Sequence, residues 1–183
     1  MGLIAIDPGV HCMAVAMFST TGTLLDARNE VVTPYDEQHA IASLIDLWHT
    51  PSVALVNRIQ RNLGATVDTL VGERQVIYPG AKGLKTDPND LLDVAMCAGS
   101  FYGGLVEELR VYRVRLVEPA QWKAQVPKDI CRARIEKLLS EEERRSISRG
   151  GEMHNVFDAI GIGLFWFGRA GRGMVSVEPG EEW

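Results

Sequence analysis

The sequence has few of the features that mark secreted, membrane-spanning or zinc-binding proteins. Its cysteines are Cys12, Cys97 and Cys131, an odd number without metal-site spacing, which favours reduced thiols in an intracellular protein. No apolar run reaches the ~18 residues that a membrane helix needs, and no basic stretch precedes an apolar one at the N-terminus. We therefore expect a cytoplasmic protein with no membrane partner.

An excess of positive charge is also absent. The 183 residues carry a formal net charge of -5, which argues against a protein that coats nucleic acid nonspecifically. A nuclease stays compatible with this charge, because acidic catalytic residues and a local basic surface can coexist. Basic residues gather around a glycine, at Lys82 and Lys85, and in a second group after Trp122: Lys123, Lys128, Arg132, Arg134 and Lys137.

The hydrophobic pattern predicts an α/β protein. Apolar runs at 3–6, 12–18 and 24–32 predict three antiparallel strands, and two later strands are predicted to end near Glu73 and Val117. Helical spacing covers five segments: 38–48, 51–63, 87–109, 129–147 and 154–168. This order predicts a sheet with an antiparallel edge and parallel inner strands, flanked by helices. No repeat or linker interrupts it, so we expect one domain over 1–170 and a loose Gly-, Glu- and Pro-rich tail over 171–183.

The feature that points to chemistry is a carboxylate at the end of the first strand. Asp7 follows the apolar run Leu3-Ile4-Ala5-Ile6 and precedes the turn residues Pro8 and Gly9. A strand holds such a carboxylate rigidly and points it outward, which suits a divalent metal ion or a phosphate. Alone, the pattern also fits a plain hairpin with a surface aspartate.

Two further acids lie where the predicted fold would bring them towards Asp7. Glu73 ends the fourth predicted strand, and parallel neighbours end at the same edge of a sheet. Asp158 lies in the first turns of an otherwise apolar helix, where a buried carboxylate is costly unless it is paired or metal-bound. Asn155 and His154 precede it on the same helical face. Converging carboxylates are what a two-metal phosphodiesterase site needs, although a strand-end salt bridge for Glu73 and a helix-dipole charge for Asp158 are the simpler alternatives.

Several segments resemble the RuvC-type Holliday junction resolvases of the RNase H-like superfamily. Ile4-Ala5-Ile6-Asp7-Pro8-Gly9 is similar to the opening of that family, Val71–Val76 to its second acidic strand, and Phe157–Leu164 to its C-terminal acidic helix. The segments Lys85–Leu92 and Pro119–Lys123 resemble phage-type members in particular. The resemblance covers nearly the whole chain.

The resemblance implies a fold, an activity and a setting. The fold would be an RNase H-like five-stranded mixed sheet, three antiparallel strands followed by two parallel ones, in a single nuclease domain. The activity would be that of a crossover junction endodeoxyribonuclease, which cleaves Holliday junctions or other branched DNA and leaves 5′-phosphates. Asp7, Glu73 and Asp158 would hold Mg²⁺ or Mn²⁺, two ions per site, with Asn155 or His154 as a further ligand or water orienter. The setting would be the cytoplasm of a bacterial or phage-infected cell.

DNA contacts and dimerisation are also expected. Phosphate contacts, which give affinity without reading sequence, would come from Lys82, Lys85, Lys123, Lys128 and Arg132. A four-way junction has two symmetric scissile strands and therefore matches a twofold homodimer. The apolar helix over 90–109, which carries Phe101 and Tyr102, is the candidate dimer surface, and packing within its own subunit is the alternative.

Two positions leave alternatives open. The family places an acid or a histidine three residues before its last aspartate, where this chain has Asn155, so the fourth ligand is undecided and a non-catalytic branched-DNA-binding relative is conceivable. A competing alignment ends the second acidic strand at Val56-Asn57-Arg58, whereas the strand-like run before Glu73 favours Glu73. An actin-like nucleotide-binding ATPase is a third candidate, but that fold normally needs a longer chain.

Overall fold

Five strands form one mixed sheet in the computed structural model, which describes residues 2–64, 66–76, 87–124, 126–148, 150 and 153–171. The strands are β1 (Gly2–Asp7), β2 (Cys12–Phe18), β3 (Leu24–Val31), β4 (Val67–Glu73) and β5 (Arg113–Val117). They lie in the order β3-β2-β1-β4-β5. The first three pair antiparallel, and β4 pairs parallel with β1 and β5, which confirms the predicted sheet.

Helices cover both faces of this sheet because β1 and β2 are apolar on both sides. α1 (Ala40–His49), α2 (Val53–Leu63) and α3 (Pro88–Leu109) pack on the face that carries Ile4 and Ile6. The opposite face, which carries Leu3 and Ala5, is covered by elements of the second half of the chain. These are α4 (Pro119–Trp122), α5 (Lys128–Leu138), α6 (Glu141–Arg145) and α7 (Met153–Trp166). No helix within the described residues is of a length and apolarity that would carry it across a membrane.

The register of the central strands places the predicted acids side by side. Ile6 of β1 is aligned with Gly72 of β4 in the parallel pair, so Asp7 and Glu73 follow at neighbouring positions on the same edge. The competing alignment through Asn57 is wrong, since Asn57 lies exposed within α2 and not at a strand end.

The apolar helix α3 begins where the sequence predicts. The Asp87 side chain accepts a hydrogen bond from the backbone N–H of Asn89, and Pro88 occupies the first turn, as at favoured helix starts. Phe101 and Tyr102 are buried against the sheet, so these two aromatics pack within the subunit and are not part of an exposed dimer surface. An apolar side chain of α3 that faces outward is Met96, which is 54% exposed.

The charged segment predicted as one helix over 129–147 is two helices, α5 and α6, and this prediction is wrong. Leu139 adopts an extended conformation and Ser140 begins a new helix. The Ser140 side chain accepts from the Glu143 N–H, while the Glu143 carboxylate accepts from the Ser140 N–H. This reciprocal capping box starts α6 and was readable in Ser140-Glu141-Glu142-Glu143. Residues 172–183 of the predicted tail, and Lys82 and Lys85, lie outside the described residues.

Candidate active site

Three elements bring Asp7, Glu73 and Asp158 to one end of the sheet. Asp7 and Glu73 end β1 and β4, and Asp158 lies in the second turn of α7, where it is 7% exposed. α7 lies close to the sheet because Gly163 leaves space for the ring of Phe18, which a Cβ at position 163 would overlap. The acids that the sequence singled out are therefore neighbours in the folded chain.

Lys123 lies between two of these carboxylates. Its Nζ is 3.2 Å from Oε2 of Glu73 and 3.0 Å from Oδ2 of Asp158. It follows α4 directly, and this one-turn helix is held by a capping box between Glu118 and Gln121. The sequence predicted Lys123 as a phosphate contact, and the structure places its ammonium group among the acids.

Trp122 fixes the Glu73 carboxylate from the side. Its indole is fully buried, and Nε1 donates a hydrogen bond of 3.1 Å to Oε2 of Glu73. Nζ of Lys123 lies 4.7 Å from the centroid of the same ring, within the range of a cation–π contact. Trp122 at the end of α4 and Lys123 directly after it thus both hold Glu73.

The electrostatics of the site reflect three carboxylates against one ammonium group. Burial raises the pKa of Asp7 well above its usual range, and the charges of Glu73 and Asp158 raise it further. Burial also raises the pKa of Glu73, although Lys123 opposes this shift. Burial works against the charge of Lys123, but the attraction of Glu73 and Asp158 outweighs it and raises the pKa of Lys123. Such mutual perturbation in a cluster is typical of functional sites.

The two residues predicted as a possible fourth metal ligand, His154 and Asn155, lie on α7 shortly before Asp158. His154 and Asn155 are half-buried in the first turn of α7. Asn155 is one helical turn before Asp158 and shares its face. The choice between Asn155 and His154 stays a prediction.

Of the predicted DNA-binding residues of α5, Lys128 acts on an acid of the site, whereas Arg132 contacts Phe157 and Glu136. Lys128 is exposed, and its charge lowers the pKa of Asp7 against the effect of burial. The Arg132 guanidinium is 4.8 Å from the ring centroid of Phe157 and bonds to Glu136 at 2.9 Å. Arg132 also lines a cleft of about 740 Å³ with Glu136, Lys137, Arg144, Met153 and Phe157. This cleft lies between α5, α6 and the start of α7.

The donor set fits a hard divalent cation. Mg²⁺ and Mn²⁺ prefer carboxylate oxygens, and the oxygens of Glu73 and Asp158 already converge on one cation, the Lys123 ammonium. Within the part of the chain that the structure describes, no three His, Cys, Asp or Glu side chains are grouped so that they hold a metal ion as they stand. A metal ion in this position therefore requires Lys123 to withdraw.

Two site residues were missed by the sequence reasoning: Trp122 as a hydrogen-bond donor to Glu73, and Lys123 as a partner of the acids. A signal for both existed, since Pro119–Lys123 directly follows β5, and β5 is parallel to β4. The segment that follows β5 must therefore begin at the edge of the sheet where β4 ends with Glu73.

The fold is similar to that of proteins of known structure. No protein-family model matches the sequence, and no curated protein matches it. RuvC from Thermus thermophilus is similar in structure, with a TM-score of 0.56 and 16% identity over 91% of this chain and 94% of that chain. The structure of T. thermophilus RuvC in complex with a Holliday junction substrate is also similar, with a TM-score of 0.53 and 15% identity over 91% of this chain and 93% of that chain. The yeast mitochondrial Holliday junction resolvase Ydc2 is similar as well, with a TM-score of 0.53 and 16% identity over 90% of this chain and 77% of that chain.

These structures share the order and direction of the chain over almost the whole described molecule, at identities that show the fold alone. The chain therefore has the RuvC-like form of the RNase H fold.

Proposed function

We propose that this chain is a metal-dependent endonuclease that resolves Holliday junctions or other branched DNA and leaves 5′-phosphates. The observation that carries the proposal is that Asp7, Glu73 and Asp158 lie together at one end of the sheet, close enough for the charges of Glu73 and Asp158 to raise the pKa of Asp7. The similarity in fold to Holliday junction resolvases supports branched DNA as the substrate.

The acids have the roles of cation ligands in this proposal. Asp7, Glu73 and Asp158, with Asn155 or His154, hold two Mg²⁺ or Mn²⁺ ions. When bound, such ions activate a water and stabilise the leaving oxygen in phosphodiester hydrolysis. Trp122 keeps the Glu73 carboxylate oriented through its hydrogen bond. Lys123, once withdrawn from the acids, would be free to contact a DNA phosphate, the role that the sequence predicted for it.

The DNA backbone is held by the basic residues around the site. Lys128 and Arg132 on α5 would contact phosphates next to the carboxylates, and Lys82 and Lys85 keep the same predicted role. A homodimer would present two sites to the two scissile strands of a junction. The exposed side chains of Leu92 and Met96 on α3 are candidates for that contact.

A cleavage assay on labelled DNA tests the proposal. Four-way, three-way and linear DNA are incubated with Mg²⁺ or Mn²⁺, and the nicks are mapped and tested for ligation, which requires a 5′-phosphate. Wild type should cut the branched substrates. Asp7→Asn should abolish cleavage while junction binding persists, because it removes a ligand and leaves the basic surface intact.

Asp46→Asn is the matched control, because Asp46 is an exposed aspartate of α1 and its loss should leave cleavage unchanged. Full activity of Asp7→Asn would show that the site assignment is wrong. Junction binding by wild type without cleavage in either metal would instead support a non-catalytic branched-DNA-binding protein, which the Lys123 position between the acids also favours.

A further inference from the structure

Two arginines on the edge of the sheet lie on the same face as Glu73. β5 is the edge strand beyond β4, and it carries Arg113 and Arg115 two residues apart. Arg115 is aligned with Val71 of β4, and Val71 lies in the core that α7 covers. Because side chains alternate between the two faces of a sheet, both arginines lie on the α7 face.

These two guanidinium groups are exposed and are not neutralised by an acid. α7 packs over the strands β1 to β4, and the first four residues of β5 remain exposed. Within the described part of the chain neither arginine forms an ion pair, whereas Arg132 of α5 pairs with Glu136. Arg115 donates a hydrogen bond to the backbone carbonyl of Val114. This edge of the sheet therefore carries positive charge that is available to an anion.

The arginines form a row that leads away from the acids. Val117 ends β5 beside Glu73, and the two arginines precede Val117 on the same face of the strand. Residues two apart in a parallel strand are separated by about 6.6 Å. Each guanidinium would therefore contact a different phosphate of a DNA strand that follows β5.

The row ends near an exposed tryptophan. Trp166 is the last residue of α7 and is 39% exposed. It lines a cavity of about 380 Å³ together with Arg113 and Thr69. Asp68 also lines this cavity, and its carboxylate accepts a hydrogen bond from the Thr69 hydroxyl. Cations and an aromatic ring along one groove are the combination that single-stranded nucleic acids bind, with phosphates on the cations and bases stacked on the ring.

We propose that the α7 face of β5 binds one unpaired DNA strand, with phosphates on Arg115 and Arg113 and a base stacked on Trp166. The inference rests on the proposed function for the path of this strand, which would pass the carboxylates. Charged side chains on an edge strand also prevent pairing with another sheet, but that role requires neither this face of the sheet nor Trp166.

Binding of a fluorescent single-stranded oligothymidylate tests the surface without cleavage. Anisotropy is measured in EDTA at several salt concentrations. Arg113→Gln combined with Arg115→Gln should raise the dissociation constant about tenfold or more, and should reduce the slope of log affinity against log salt by about 1.4, because two phosphate contacts are lost.

Trp166→Ala should raise the dissociation constant about fivefold or more without changing the salt slope, because it removes stacking and no charge. An abasic oligonucleotide should bind wild type more weakly than the oligothymidylate does, whereas Trp166→Ala should bind the two probes equally. Trp166→Phe keeps a ring at this position and should restore part of the difference between the probes.

Arg61→Gln is the control, because Arg61 is an exposed arginine of α2, which packs on the other face of the sheet. It should change neither the dissociation constant nor the slope. An unchanged affinity and slope in the folded double variant overturn the proposal. A double variant that aggregates where Arg61→Gln does not would show that the arginines protect the edge of the sheet, and this also overturns it.

Two further results on the wild type would overturn the proposal. One is the absence of oligothymidylate binding. The other is displacement of the probe by polyglutamate as effectively as by unlabelled oligothymidylate, which would indicate a site for acidic protein segments.

Cleavage assays with metal separate this inference from the proposed function. Weakened single-strand binding in the variants of a protein that cuts no junction would uphold the binding surface and sink the proposed function. Junction cleavage by wild type, together with unaltered single-strand binding by the double variant, would sink this inference alone.

Discussion

Two clusters of buried charge show opposite balances of acid and base. In the first, Glu143 is 3% exposed, and Arg169 bonds to both its carboxylate oxygens, at 2.5 and 3.0 Å. The backbone N–H groups of Leu24 and Ser140 also donate to it, both at 2.8 Å. In the second, Lys123 pairs with Glu73 and Asp158, and Asp7 is a third acid close to them.

The pKa shifts of the two clusters run in opposite directions. Burial raises the pKa of Glu143, but the hydrogen bonds from Arg169, Leu24 and Ser140 outweigh this and lower it to about 2. The pKa values of Asp7 and Glu73 are raised by burial and only partly offset by Lys123. A carboxylate with enough donors stabilises the fold, whereas carboxylates that outnumber their donors form a site with unused affinity for cations.

The largest expected effect is a loss of stability when the Glu143 cluster is deprived of its arginine. Arg169→Ala leaves Glu143 buried without its cation and removes the bonds from Arg169 to the Gly22 and Leu138 carbonyls. The free energy of unfolding should fall by about 3–5 kcal/mol at pH 7, as measured by urea denaturation. Addition of Mn²⁺ should not restore it, and a restored stability would show that this cluster also binds the metal.

The pH dependence of stability should have opposite signs in the two clusters. Because the folded pKa of Glu143 is below its ordinary value of 4.5, at about 2, its contribution is complete above pH 4.5 and is lost as pH falls towards 2. This loss amounts to about 3 kcal/mol. Asp7 and Glu73 bind protons more tightly when folded, so their effect on stability becomes more favourable as pH falls.

Denaturation curves from pH 2 to pH 7 without metal test these signs. Glu143→Gln should flatten the fall at low pH, and Asp7→Asn should reduce the gain on acidification that precedes it. A wild-type curve that declines steadily over the whole range, and that Asp7→Asn leaves unaltered, would contradict the raised pKa values of the site.

The next effect concerns Lys123, the cation that pairs with Glu73 and Asp158. Lys123→Met leaves Glu73 and Asp158 facing each other without a counter-ion, although protonation relieves part of the repulsion. Without metal, the unfolding free energy should fall by about 1–3 kcal/mol. Mn²⁺ should restore this loss, in contrast to Arg169→Ala. Lys137→Met, a change at an exposed lysine of α5, is the control and should leave both values unchanged.

The smallest effect is a gain. Asp7→Asn removes one of three crowded acids and should raise the unfolding free energy of the metal-free protein by about 1 kcal/mol at neutral pH. The same variant should lose DNA cleavage, so stability and activity move in opposite directions. A loss of stability in Asp7→Asn would show that Asp7, like Glu143, is a carboxylate that stabilises the fold.

The sequence predicted the parts of the site that strands deliver. Apolar runs predict β1 and β4, and parallel pairing then places Asp7 beside Glu73 without further information. The position of Lys123 could not be predicted in the same way, because it depends on how the chain turns after β5 and packs Trp122 into the core.

Two errors had different physical origins. The α5–α6 break was missed because the charged run around Ser140 also fits a continuous helix, although the capping box contains its own signal. The aromatics of α3 were assigned to a dimer surface because the helix is apolar on most of its circumference. Periodicity alone does not say which side of such a helix faces the sheet.

Under the proposed function, the Lys123 ammonium group competes with a metal ion for Glu73 and Asp158. A cation would then bind only the fraction of molecules in which the lysine has withdrawn, and its apparent affinity would fall by that fraction. There would therefore be a threshold concentration of the metal ion. Below it, the Lys123 ammonium group would keep its ion pairs with Glu73 and Asp158. Under the proposed function, mutations in α4, which directly precedes Lys123, would change this threshold without any change to a proposed metal ligand.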